Sequence, residues 1–158
     1  ELVGGGHQVL VFTQFLDVIR LLSSQLGERG VRALELQGST PASERSRRIE
    51  AFQAGEADVF LMSLKAGGVG VNLTAADHVL HVDPWWNPAV EDQATGRAHR
   101  MGQTRPVMVH RFCTQGTIEE KIIALHGRKR ELAEDLLEGM GERKKLDLDE
   151  LRALVSDG

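Results

Sequence analysis

The chain has 158 residues, of which 41 % are hydrophobic and 27 % are charged, and its formal net charge at pH 7 is −4. This length and apolar content predict a globular protein with a sizeable core, and no segment approaches the roughly 20 apolar residues of a membrane span. The negative charge argues against a protein whose whole surface binds nucleic acid, but it leaves room for a local basic face, because phosphate contacts depend on clustered charge.

Apolar runs and helical spacings alternate along the chain. The runs predict buried strands at 8–12, 31–36, 57–62, 77–82 and 107–112. The spacings predict helices from residue 15 to 27 or 30, from 40 to 55, around 92–103, and from 117 to about 137. Continuous apolar strands separated by helices are typical of a parallel sheet covered on both faces. We therefore expect an α/β fold with a mainly parallel sheet and a helical C-terminal extension.

Two helix starts carry capping signals. Thr40 followed by Pro41 is the pattern of an N-cap residue and a first-turn proline. Thr117-Ile-Glu-Glu120 has the form of a capping box, in which threonine and glutamate satisfy backbone N–H groups reciprocally. Both patterns predict where a helix begins.

The segment from Asp92 to Gln103 contains a polar residue pattern that suits an anion. Gln93, Arg97 and Arg100 are spaced by four and then three residues, so a continuous helix would place them on one face. One amide and two guanidiniums suit a planar, oxygen-rich anion such as a phosphoryl group in transfer, where a placed arginine is worth roughly 10³–10⁵ in rate. The alternative is a solvated basic face, which is the usual role of a lone pair of arginines.

The glycine-rich segment Lys65-Ala-Gly-Gly-Val-Gly-Val-Asn72 follows a predicted strand. Glycines in such a place let consecutive backbone amides converge on an anion. A turn without any ligand explains the glycines equally well. A dinucleotide-binding loop does not, because the third glycine of that motif is missing and no acidic residue ends a strand about 20 positions later.

Polar residues also follow the other predicted strands. Hydroxyls, amides and ammonium groups there suit contacts to a nucleic-acid backbone, which position a duplex without reading its sequence. These candidates are Thr13, Gln14, Gly38, Ser39, Thr40, Ser63 and Lys65. Trp85 and Trp86 lie between two prolines, so one is expected to pack on the sheet and the other to reach outward; Trp85 is the candidate contact.

Cysteine and histidine indicate neither a disulfide nor a metal site. Cys113 is the single cysteine, and we expect it to be a small buried residue in a protein of a reducing compartment. His78 and His81 are three apart in a predicted strand and so lie on opposite faces. The sequence therefore predicts no metal ligands.

Together these segments resemble the C-terminal helicase motifs of the Swi/Snf family of superfamily 2 DNA translocases. The resemblance runs from about residue 7 to about residue 125. In chain order it covers Val9–Phe15 (motif IV), Leu36–Thr40 (the motif that follows it), Ser63–Leu73 (motif V), Asp83–Pro88 (the signature Asp-Pro-Trp-Trp-Asn-Pro) and Gln93–Gln103 (motif VI).

The resemblance implies a RecA-like three-layer lobe at residues 1–138. The residues after it, 139–158, are expected to form a charged tail with a short amphipathic helix. The resemblance also implies that Arg97 and Arg100 point across a cleft at the γ-phosphate of ATP, and that Gln93 orients the nucleotide or the attacking water. The glycine segment, with Gly68, Gly70 and Asn72, would contact the nucleotide. The strand-end residues and Trp85 would contact DNA.

The sequence lacks a Gly-x-x-x-x-Gly-Lys-Ser/Thr loop and a strand-ending Asp-Glu pair. The family keeps both on an N-terminal RecA-like lobe, so we expect ATP and Mg²⁺ to be bound mainly there and this lobe alone to be inactive. Expected partners are that lobe and double-stranded DNA, with no membrane, in the bacterial cytoplasm (nucleoid) or the eukaryotic nucleus. A nucleosome, RNA polymerase or another DNA-bound protein is the expected object of remodelling.

Two alternatives differ from this motor. One is a non-catalytic DNA- or protein-binding module that retains the helicase fold. The other is a lobe of an RNA-directed helicase, which the Asp-Pro-Trp-Trp-Asn-Pro signature disfavours.

Overall fold

The computed structural model describes residues 1–66 and 71–137, and for residues 130–137 it describes the backbone alone. The chain divides into two compact units, Glu1–Phe112 and Cys113–Gly158, which are described separately. Within the described residues, every helix is too short or too polar to cross a membrane.

The first unit is built on a five-stranded parallel sheet. Its strands are β1 (Val9–Thr13), β2 (Ala33–Leu36), β3 (Val59–Ser63), β4 (His78–His81) and β5 (Met108–Arg111). Their spatial order is β2-β3-β1-β4-β5, and every neighbouring pair is parallel. The predicted α/β fold with a mainly parallel sheet is confirmed.

Helices cover both faces of this sheet. They are α1 (Leu16–Glu28), α2 (Ala42–Gln53) and α3 (Pro88–Thr95), and a 3₁₀ turn at Val3–Gly5 precedes them. Side chains of β1 alternate between two cores: Leu10 and Phe12 pack with Phe52 of α2, whereas Val9 and Val11 pack with Ile19 of α1. This alternation explains why the strands read as continuous apolar runs.

The start of α2 differs from the prediction. The Thr40 hydroxyl accepts a hydrogen bond from the backbone N–H of Gln37 at 3.0 Å, and Pro41 occupies the N-cap position without any side-chain cap. The predicted N-cap role of Thr40 is therefore wrong, because its side chain closes the turn after β2. The predicted stop is confirmed at Gly55, which adopts φ 77° just after the helix.

The described part of the second unit is dominated by α4 (Ile118–Leu137). The Thr117 hydroxyl caps it by accepting from the N–H of Glu119 at 3.2 Å, and Glu120 accepts from the N–H of Gly116 at 3.1 Å. The predicted helix start is confirmed. Cys113 is exposed, so the expected burial was wrong; β5 ends at Arg111, which leaves Cys113 beyond the strand.

Candidate functional site

The sheet gathers the predicted site residues at one edge. Because all five strands are parallel, their carboxyl ends meet there, and ligands of open α/β sheets bind outside that edge. Gln14 follows β1, residues 37–40 follow β2, Lys65 follows β3 and Trp85 follows β4. We call this side the carboxyl edge.

The predicted arginine helix is shorter than expected. Helix α3 ends at Thr95, and residues 96–103 form a turn, which we call the arginine turn. The N–H groups of Arg97 and Ala98 bond to carbonyls three residues earlier, at 3.2 and 3.1 Å, which tightens the chain and ends the helix. Gln93 lies on α3 and is exposed, whereas Arg97 and Arg100 lie beyond the end of the helix. The prediction that these three residues share one helical face is therefore wrong.

The two arginines of this turn lie in different environments. Arg97 is only 2 % exposed, whereas Arg100 is exposed. Burial lowers the pKa of the Arg97 guanidinium, and the nearby positive charge of Arg100 lowers it further. An anion at this place would be attracted by both charges, one of them partly desolvated.

The arginine turn is tied to the end of the glycine segment. The N–H of Leu73 donates to the carbonyl of Arg97 at 2.9 Å, and Arg100 Nη1 donates to Asn72 Oδ1 at 2.7 Å. Asn72, predicted to contact nucleotide, thus contacts Arg100 directly. The other two predicted nucleotide-binding residues, Gly68 and Gly70, lie outside the described residues.

Gln103 fastens the far end of the turn. Its Nε2 donates to the carbonyls of Ala76 at 2.7 Å and of Thr74 at 3.0 Å, and its Oε1 accepts from the N–H of Arg105 at 2.9 Å. The sequence contains Gln103 in a recognisable motif, but nothing in its spacing indicates this clamp. It fixes the turn to the loop that enters β4.

Helix α3 carries a buried polar side chain. Glu91 is 0 % exposed and accepts hydrogen bonds from the Trp85 N–H at 2.8 Å and from Arg111 Nε at 2.9 Å. Glu91 therefore joins α3 to the loop that contains Trp85 and to the end of β5. Sequence reasoning missed Glu91, because one carboxylate in a polar segment gives no signal of burial.

His81 connects the sheet to the last residue of α3. Its Nε2 lies 3.0 Å from Thr95 Oγ1, and its ring stacks on Phe12 with centroids 5.6 Å apart. Burial lowers the pKa of His81, which favours a neutral ring near pH 7. This contact supports α3 just before the chain enters the arginine turn.

Thr13 is part of a buried link between β1 and β4. Its hydroxyl donates to Asp83 Oδ1, and the N–H of Gln14 donates to Asp83 Oδ2 at 3.0 Å. Thr13 is 1 % exposed and Ser63 is 4 % exposed, with Ser63 Oγ accepting from the N–H of Ala66 at 3.2 Å. Both hydroxyls serve the edge itself, and their contacts to DNA stay predictions.

The sequence and the fold of the chain match those of known proteins. Residues 1–102 match the helicase conserved C-terminal domain family. The chain belongs to this family. A fold match at TM-score 0.75 is the crystal structure of the C-terminal part of the Fun30 ATPase domain, 33 % identical, covering 92 % of this chain and 43 % of that one.

Curated relatives place this helicase lobe among Swi/Snf-type ATPases. It is 42 % identical over 156 residues to the DNA repair protein RAD5 of Candida glabrata, covering 94 % of this chain. It is 46 % identical over 136 residues to the chromatin-remodeling ATPase INO80 of Aspergillus oryzae, covering 85 % of this chain. The chain spans 14 % of the length of the first relative and 9 % of the length of the second.

The exposed candidates of the helicase lobe are now distinguishable from the buried ones. Gln14, Gly38, Ser39 and Lys65 are exposed at the carboxyl edge. Of the tryptophans, Trp86 is 57 % exposed, whereas Trp85 is half-buried and packs against the core. Trp86 is therefore the better placed of the two for an external contact, and the role of Trp85 stays a prediction.

Proposed function

We propose that this lobe is the second ATPase lobe of a Swi/Snf-type motor that couples ATP hydrolysis to translocation on double-stranded DNA and remodelling of DNA–protein complexes. The observation that carries the proposal is the arginine turn, in which a buried Arg97 and an exposed Arg100 are tied to the glycine segment. The family membership supports it.

The turn fits the terminal phosphate of a nucleotide. Guanidiniums match phosphate oxygens in charge and geometry, and a buried guanidinium keeps its orientation during the reaction. ATP supplies the phosphoryl group, and Mg²⁺ neutralises its charge. Arg97 and Arg100 would stabilise the charge that develops there, and the exposed Gln93 would orient water or nucleotide. The N-terminal lobe of the same polypeptide would hold most of the ATP and the metal.

The hydrogen bonds between the arginine turn and the end of the glycine segment would couple ATP hydrolysis to movement on DNA. Asn72 and Leu73 contact Arg100 and Arg97, and the same segment begins at Lys65, beside the predicted DNA contacts. A change in the phosphate group at the arginines would therefore shift backbone groups near DNA. Such closing and opening of two lobes would move the motor along the duplex.

This lobe would contact the sugar-phosphate backbone of DNA. Gln14, Gly38, Ser39, Thr40 and Lys65 offer amide, backbone, hydroxyl and ammonium groups at one edge of the sheet. These groups recognise phosphate without reading bases, so binding would be largely independent of sequence and sensitive to salt.

The object of remodelling would be a protein bound to DNA. The names of two relatives, a DNA repair protein and a chromatin-remodeling ATPase, support a nucleosome or another DNA-bound protein as this object. RNA polymerase is a further candidate that these names do not address. The chain matches only a small part of the length of these relatives. We expect regions outside this part to select the partner.

Steady-state ATP hydrolysis by the full-length polypeptide tests the proposal. Arg100→Ala should lower the rate with duplex DNA by roughly 10³–10⁵ and leave DNA affinity unchanged. Arg20→Ala is the matched control, since Arg20 is an exposed arginine of α1 paired with Asp17 at 2.8 Å. Asn72→Ala should lower the rate of ATP hydrolysis less than Arg100→Ala does, because it removes a hydrogen bond of the Arg100 guanidinium but keeps the guanidinium itself. The isolated lobe should hydrolyse no ATP.

Equal rates for the wild type and Arg100→Ala would overturn the arginine assignment and favour the non-catalytic binding module. Stronger stimulation by RNA than by duplex DNA would favour the RNA-directed helicase. Single-stranded DNA, used in parallel, separates duplex tracking from general binding to nucleic acid.

A further inference from the structure

Three histidines and an aspartate meet at the opposite edge of the sheet, where β1 and β4 begin. His7 Nδ1 lies 2.7 Å from Asp77 Oδ2, and the rings of His7 and His78 meet edge to face with centroids 4.6 Å apart. His78 Nδ1 lies 3.0 Å from His110 Nε2. We call this group the histidine cluster (His7, Asp77, His78 and His110).

Asp77 has one oxygen in use and one that is not. Oδ2 contacts His7 and also Arg105 Nη1, at 2.9 Å. Oδ1 is buried and accepts no hydrogen bond from the described residues, although the residue is only 4 % exposed. A buried carboxylate oxygen in this state is costly, and a cation at the cluster would satisfy it.

We propose that His7, Asp77 and His78 form a site for a divalent transition metal, with Zn²⁺ as its natural occupant. One ligand atom from each residue lies within 4.8 Å of the other two. Around tetrahedral zinc, nitrogen and oxygen ligands about 2.0–2.1 Å from the metal stand about 3.3 Å from one another. Small side-chain shifts therefore close the site. Two imidazoles and one carboxylate favour Zn²⁺ over Mg²⁺ or Ca²⁺, which prefer oxygen ligands alone.

His110 supplies the outer support that such sites require. A metal-bound histidine donates its second ring N–H to an acceptor, which fixes the tautomer and the ring orientation. His110 Nε2 is positioned to accept from His78 Nδ1, and the two rings are stacked with an interplanar angle of 12°.

None of the proposed ligands is an arginine of the arginine turn or a residue that bonds one. His7 precedes β1, and Asp77 lies directly before β4, which begins at His78. The arginine turn approaches this region only through its last residue, Gln103, which donates to the carbonyl of Ala76. A bound metal would therefore join the chain before β1 to the start of β4 and stabilise the fold. It would not take part in ATP hydrolysis, so the proposal stands or falls independently of the proposed function.

Zinc stoichiometry of the full-length polypeptide tests the site. After chelator treatment, Zn²⁺ is titrated against a chromophoric chelator, with Mg²⁺ as the non-binding control. The wild type should bind one more Zn²⁺ than His7→Gln, a conservative change at a side chain that is 40 % exposed. His99→Gln, which removes an exposed histidine outside the cluster, should match the wild type. Replacing His110 by leucine should keep the site but weaken it by about 10–100-fold.

A second readout uses Co²⁺, whose visible spectrum reports its ligands. The wild type and His99→Gln should share a d–d band that His7→Gln and Asp77→Asn lack. Should Asp77→Asn fail to fold, His7→Gln alone decides. Equal zinc stoichiometry and equal cobalt spectra for the wild type and His7→Gln would overturn the proposal.

Discussion

The two edges of the sheet use buried polar groups in different ways. At the carboxyl edge, Thr13, Asp83 and Glu91 are at most 5 % exposed and hydrogen-bonded to one another or to nearby backbone. At the opposite edge, His7 is 40 % exposed and Asp77 keeps a buried oxygen without a described partner.

This difference indicates two kinds of polar cluster. The hydrogen bonds of Thr13, Asp83 and Glu91 hold backbone segments in one geometry, and those of Glu91 fix α3 to its neighbours. A cluster with a buried acceptor that has no hydrogen bond and a histidine that faces solvent is suited to bind a metal ion. The first should be sensitive to mutation through stability, and the second through ligand affinity.

The largest expected effect on stability comes from Glu91. Glu91→Ala should lower the free energy of unfolding by about 3 kcal/mol, because it removes the buried partner of Arg111 and the acceptor of the Trp85 N–H. Urea denaturation followed by tryptophan fluorescence measures the change.

Asp92→Ala is the matched control for Glu91→Ala. Asp92 lies beside Glu91 and 3.6 Å from the same Arg111, but its side chain is 52 % exposed, so the cost should stay below about 0.5 kcal/mol. At the other edge, His7→Gln in metal-free protein should cost about 1 kcal/mol or less. Similar losses of stability for Glu91→Ala and His7→Gln would show that the two edges do not differ in this way.

A smaller effect is expected at Asp83. Asp83→Asn should lower the free energy of unfolding by about 2 kcal/mol, because a charged acceptor of the Thr13 hydroxyl and the Gln14 N–H becomes neutral. A double-mutant cycle with Thr13→Val should give a coupling of about 1 kcal/mol. Additive losses would show that the two side chains do not act together.

The smallest effect is a pH dependence from His81. Burial lowers its pKa in the folded state, so below the unfolded value of about 6.5 the unfolded chain binds more protons. The stability that depends on neutral His81 is therefore present above that pH and is lost as pH falls from 7 to 5, by at most about 1.4 kcal/mol per unit. Urea denaturation across this range should show a shallower slope for His81→Gln. Parallel slopes would place the titration elsewhere.

Much of the fold was predictable because its signals are local. The apolar runs of β1 and β3 and the capping signal at Thr117 depend on residues close in sequence, and each element formed within a few residues of its expected position. The exceptions were also local in origin: Thr40 bonds backward to Gln37 instead of capping α2, and the helix that was to carry Arg97 and Arg100 ends at Thr95. In both places short-range hydrogen bonds formed in place of the expected ones: Gln37 N–H to the Thr40 hydroxyl, and Arg97 N–H to the carbonyl of Ala94.

The sequence by itself determined the parallel α/β architecture, the helicase motifs and the candidate arginines, because hydrophobic periodicity and contiguous motifs are written in neighbouring residues. The burial of Arg97, the exposure of Arg100 and Trp86, and the buried position of Glu91 on α3 became visible only in the three-dimensional structure. That structure alone assembled His7 with Asp77, which are 70 positions apart, although the sequence predicted no metal ligands. Such pairs depend on which strands become neighbours, and no local spacing encodes that.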